Sequence, residues 1–183
     1  MGSAGVLLLL MFLFPMWKIT LIAPQYPDGL VMHIWVNQIT GDEEGTLENI
    51  NLMNHYVGMK MIEPEMFPEL EIFPIVIYVV SALAFILAFI GRRKLYLWWT
   101  GLMSILGVVG VYDFYSWLYD YGHDLNPTAP IKVPGQAYMP PLFGFKKLLN
   151  FYVWSYPEGA SILLGVAVML SVLAWYLTRK RSF

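Results

Sequence analysis

The 183-residue chain contains no cysteine. Disulfides, thiolate metal sites, iron–sulfur clusters and thiol nucleophiles are therefore excluded, and any soft-metal site has to be built from methionine and histidine. Charge is scarce as well. Only 13% of residues are charged, against about 25% in ordinary soluble domains. A globular domain of that composition would be unable to solvate its own surface. Gly-rich phosphate loops, HExxH and serine-elbow motifs are missing, as is an outward basic patch suited to nucleic acid. No repeat of fixed period is visible, which argues against an inverted-repeat transporter.

Apolar and aromatic residues take up the difference: 58% of the chain is hydrophobic and 16% aromatic, with seven Trp and twelve Tyr. Such a composition belongs in a bilayer, where Trp and Tyr sit at the headgroup level. Four runs are long enough to suggest spans, at residues 1–22, 72–91, 95–118 and 159–178. The first reads either as a signal peptide or as an anchor. Its start lacks the basic residues of a signal peptide, and bulky Trp17 and Ile19 replace a small-residue cleavage site, so a retained helix is expected. Two basic clusters, Arg92-Arg93-Lys94 and Arg179-Lys180-Arg181, fall in the short segments 92–94 and 179–183, which the positive-inside rule assigns to the cytoplasm. Segments 23–71 and 119–158 then lie outside. The first of them carries nine acidic residues against Lys60 alone. The expected fold class is an all-α integral membrane protein of four transmembrane helices in the bacterial cytoplasmic (inner) membrane, with both termini cytoplasmic and two structured extracytoplasmic loops.

Within segment 23–71, Leu30–Val36 reads as a strand, with His33 and Trp35 on one face and Met32 and Ile34 on the other. Thr40-Gly41-Asp42 reads as a turn, and Thr46 as the cap of a helix over Leu47–Tyr56 that stops at Gly58. In segment 119–158, prolines at 127, 130 and 134 favour extended chain. Leu142, Phe145, Leu148 and Leu149 then recur at helical spacing, predicting a surface helix over Leu142–Asn150.

Two constellations carry candidate chemistry. The first is Met53, His55, Met59 and Met61. If the helix extends far enough, His55 and Met59, four apart, share a face, and imidazole with thioether suits copper, especially Cu(I). The competing reading makes these methionines plastic core filler. His33, His55 and His123 all fall outside the membrane in this topology, so a site shared by two of them with Met32 or Met53 is a second option. The other constellation is Asp113, Asp120, His123 and Asp124, whose carboxylates stack on one face of a continuous helix. These acids either bind a cation or pair with Lys132, Lys146 or Lys147. Two further readings remain: a non-covalent haem held by His and Met, and a quinone or lipid held by Trp98, Trp99 and the aromatic end of the third span.

The segments Leu52–Met59, Pro130–Gly135 and Pro140–Phe151 resemble a family of bacterial membrane proteins encoded beside nitrous oxide reductase and its copper-delivery lipoprotein. The resemblance has no established catalytic residues to carry over. What it implies is a setting in copper handling at the outer face of the membrane. The expectation is a copper-binding or copper-passing accessory protein, not an enzyme, with His55, Met59, Met53, Met61 and His33 as ligands and a periplasmic copper protein or membrane complex as partner. The alternative is a structural or assembly subunit without its own metal.

Overall fold

The computed structural model describes residues 1–133, 135 and 137–180; Pro134 and Arg181, named above, lie outside them. The architecture is mixed α/β rather than all-α. Five helices, α1 (Gly2–Leu10), α2 (Thr46–Val57), α3 (Glu69–Ile90), α4 (Arg93–His123) and α5 (Gly159–Lys180), accompany five strands, β1 (Trp17–Ala23), β2 (Tyr26–Ile34), β3 (Ile39–Gly41), β4 (Gly144–Leu148) and β5 (Phe151–Pro157). The strands form one antiparallel sheet in the order β3-β2-β1-β5-β4.

Among the described residues three helices, α3, α4 and α5, are long and apolar enough to cross a membrane, not four. Only 17% of the apolar window of each is buried within the protein. Side chains such as Phe89, Ile105, Val108 and Met169 point outward, which requires an apolar surrounding. The expected first span fails for a local reason. Pro15 cannot continue a helix, and after it Trp17–Ala23 alternates as a strand, with Ile19 buried and Lys18 directed to the other face. The apolar helix that remains, Gly2–Leu13 including a last 3-10 turn, is short. It packs on α3 and α5 through Ala4, Leu8 and Met11 against Val80, Ala84 and Ala160. A methyl at Gly5 would stand 3.1 Å from Ser81 O and from the Phe85 ring.

The surface helix expected over Leu142–Asn150 is instead the β4–β5 hairpin. The run Phe151–Tyr156 is aromatic and β-branched and adds to the edge of β1 over Trp17–Ile22. β4 then pairs with it, placing Phe145 opposite Trp154 and Leu148 opposite Phe151. The two-residue turn sets Leu149 at φ 53°, a left-handed conformation usual for Asn or Gly in such turns. Helical spacing in Leu142, Phe145 and Leu148 was thus compatible with a strand whose long side chains reach both faces.

At about 1.5 Å per residue α4 is about 46 Å long, exceeding a hydrocarbon core of about 30 Å by roughly three turns. That excess is its aromatic and acidic end, from about Asp113 onward. There Phe114, Trp117, Leu118 and Tyr121 join Ile19, Met32, Ile50, Met53 and Val153 in a second core beneath the sheet and α2. The sheet domain is therefore built around the overhang of one long helix.

Candidate functional site

The core under the sheet contains a partly open cavity of about 60 Å³. β2 supplies Met32, α2 supplies Met53, the segment after α2 supplies Met59, α4 supplies Trp117 and Tyr121, and the chain before β4 supplies Tyr138.

Local backbone chemistry brings the thioethers together. α2 ends at Gly58, whose φ of 83° is left-handed. Its N–H is donated to His55 O and the Met59 N–H to Asn54 O, closing the helix before Met59 can continue its face. Asn54, buried, donates Nδ2 to Lys60 O at 3.3 Å, and Asn51 holds Ile62 through both its backbone groups. The chain after Gly58 consequently turns inward, and Met59 meets the cavity from below while Met53 meets it from the helix. Gly58 also touches the segment after α4: Asn126 N–H donates to Gly58 O at 2.7 Å, and a methyl at Gly58 would stand 2.9 Å from both Asn126 O and Ala129 Cβ.

The Tyr138 hydroxyl, in a residue 1% exposed, has no hydrogen-bond partner among the described residues. The Trp117 Nε1 is likewise buried; it nears the Tyr121 hydroxyl without hydrogen-bond geometry, and that hydroxyl is donated to Met61 O at 2.8 Å. Tyr138 is held by its own N–H to Gly122 O at 2.8 Å. A methyl at Gly122 would overlap the Met139 backbone at 2.3 Å, so glycine is required for this strand-like segment to lie on α4.

The expected metal ligands are divided by this arrangement. Met53 and Met59 line the cavity. His55 is exposed, its ring edge-on to Tyr56, and Met61 is 48% exposed. The face shared by His55 and Met59 does not form, because the helix stops at Val57. His33 lies on the face of the sheet opposite Met32, with Nδ1 2.8 Å from Glu158 Oε2 and Nε2 3.1 Å from Asp42 Oδ1; Lys18 Nζ is 3.5 Å from Glu158 Oε1. Among the described residues no group of three or more His, Asp or Glu side chains converges to hold a metal.

The acidic constellation pairs with a lysine, but not one of the three expected. Lys60 Nζ lies 2.7 Å from Asp120 Oδ2 and 2.9 Å from Asp124 Oδ2. Hydrogen bonds to Asp120 and then Asp124 raise the Lys60 pKa well above the usual lysine value. Lys146 donates instead to Met139 O, and Lys147 sits over the Tyr152 ring. His123 Nδ1 donates to Tyr119 O at 2.8 Å and stacks on the Tyr119 ring, away from any carboxylate cluster. Asp113 stands apart, half-buried on the Glu69 side of α4.

Sequence reasoning underused Met32 and missed Trp117 and Tyr138 as cavity residues. Alternation in β2 does place Met32 inward. Tyr138 carries no local signal, since its position depends on the fit of a proline-rich segment to Gly122.

No protein-family model, curated protein or solved structure matches the chain.

Proposed function

We propose that this protein is a membrane-anchored accessory protein that binds or passes copper at the outer face of the bacterial cytoplasmic membrane, in the setting of nitrous oxide reductase maturation. The observation that supports it is the convergence of Met53 and Met59, two expected copper ligands, on one apolar cavity of the sheet domain. Thioether sulfur is a soft donor and selects Cu(I) over hard cations. With no cysteine in the chain, methionine is the soft ligand it has. The charge clusters support the orientation. Arg92, Arg93 and Lys94 join α3 to α4 at the end of the spans opposite the sheet domain, so the positive-inside rule puts that domain outside. His55 and Met61, exposed near the cavity residues, are suited to an encounter with a donor or acceptor protein.

Elemental analysis of protein purified from copper-replete cells, with chelating tags and buffers excluded, tests this reading. Near-stoichiometric copper is the expected result, and copper at background level overturns it.

A second reading, a structural subunit that docks on a larger complex, draws support from the outward face of the sheet. There exposed Phe143, Phe145, Tyr152 and Tyr156 surround half-buried Trp154 in an aromatic cluster, with Phe145 and Trp154 rings 5.0 Å apart and Phe143 and Tyr156 5.2 Å apart. Co-purification of a stable partner without metal would favour it.

A further inference from the structure

The copper reading leaves open which atoms hold the ion and in which oxidation state, and the cavity answers both. We infer that the metal site is an all-thioether Cu(I) site inside the cavity, held by Met32, Met53 and Met59 with the Trp117 indole as its aromatic wall, and that His55, Met61 and His33 are not ligands. This inference rests on the function proposed above and narrows it.

Four observations carry it. First, Met32, Met53 and Met59 come from a strand, a helix and a loop, yet line one volume of about 60 Å³. That space suits an ion or a few waters. Second, the lining offers no carboxylate and no imidazole, so a hard or borderline dication would enter without charge compensation, at a prohibitive cost. A monovalent soft cation pays far less desolvation and is bound by the sulfur lone pairs. Third, Trp117 and Tyr121 present aromatic walls to the same space, and Trp is the best aromatic partner for a cation. Fourth, Tyr138 lines the same space, and its buried hydroxyl has no hydrogen-bond partner among the described residues.

The remaining expected ligands are otherwise engaged or face elsewhere. Both ring nitrogens of His33 are taken by Glu158 and Asp42 across the sheet. His55 and Met61 are on the exposed surface, where they are placed to meet a partner.

The test is an anaerobic Cu(I) titration against a chromophoric chelator, using the full chain in detergent. Compared are wild type, single Met32→Leu, Met53→Leu and Met59→Leu variants, the triple variant, and a His55→Ala/Met61→Leu double variant. Leucine conserves volume and apolarity at the three cavity positions. Each cavity variant is expected to lose at least about tenfold in affinity, the lower bound for loss of even an outer-shell partner. The triple variant is expected to lose binding altogether, while the His55/Met61 variant binds as wild type. Ag(I) is expected to compete, and Zn(II) is not. If wild type binds and the triple variant binds equally well, or the His55/Met61 variant fails to bind, the cavity site is overturned while the copper reading survives. If wild type binds no Cu(I), both fall. Should the triple variant not fold, X-ray absorption at the copper edge of the wild type decides: a sulfur-only first shell is expected, and an imidazole scattering signature overturns the assignment.

Discussion

Replacing Gly58 with alanine separates two costs that the fold imposes at one position. Gly58 sits at φ 83° and Gly45 at φ 82°, so alanine at either position meets the same left-handed backbone penalty, about 1–2 kcal/mol. Their surroundings differ. A methyl at Gly45 meets nothing within 4 Å, whereas one at Gly58 stands 2.9 Å from Asn126 O and from Ala129 Cβ. Overpacking against backbone of this kind adds about 1–3 kcal/mol. Gly58→Ala is therefore expected to destabilise the sheet domain by about 2–5 kcal/mol, and Gly45→Ala by only the backbone share. The assay is denaturant unfolding in detergent followed by near-ultraviolet circular dichroism, which reports the aromatic packing around Trp117. Because Gly58 also aims Met59 into the cavity, its variant is expected to weaken Cu(I) binding, and the Gly45 variant to leave it intact. Equal destabilisation by the two substitutions would refute the contact of Gly58 with Asn126 and Ala129.

Three further outcomes follow from the structure. With no native cysteine, a single cysteine at exposed Glu44 is expected to react with an impermeant maleimide in intact spheroplasts, and one at Lys94 only after the membrane is opened; the reverse pattern would invert the orientation. Gly122→Ala, which drives a methyl into the Met139 backbone, is expected to cost about 1–3 kcal/mol and to disturb the Tyr138 environment, read by unfolding and by near-ultraviolet circular dichroism. Lys60 has its pKa raised by Asp120 and Asp124, so its stabilising contribution is complete below the unfolded lysine value of about 10.4 and is lost as pH rises through the higher folded value. Lys60→Met is accordingly expected to remove up to about 1 kcal/mol at neutral pH, since the pair is exposed, and to flatten the stability profile above pH 10.

The long apolar runs at Ile72–Ile90 and Ala160–Leu177 are self-contained signals, and α3 and α5 occupy them. Trp17–Ile22 is different, because its apolar content reads as lipid-facing while its alternation has meaning only once β2 and β5 flank it. The β1–β5 pairing joins Trp17 to Pro157, two segments separated by most of the chain, and no local pattern announces it. The same gap explains the misread hairpin: Leu142, Phe145 and Leu148 fit a helix or a strand, and the partner strand decides. At the site, helical spacing grouped His55 with Met59. The left-handed Gly58 overrode that spacing and regrouped Met59 with Met53 and Met32. Lys60 shows the same pattern, since its partners Asp120 and Asp124 became visible only when the overhang of α4 was packed beside the loop after α2.

The most direct test of copper binding at the outer face is the stoichiometry of Cu(I) held by the wild-type protein in anaerobic competition with a calibrated chelator. One Cu(I) per chain, retained against the chelator, is the result expected. No retained Cu(I) would contradict it.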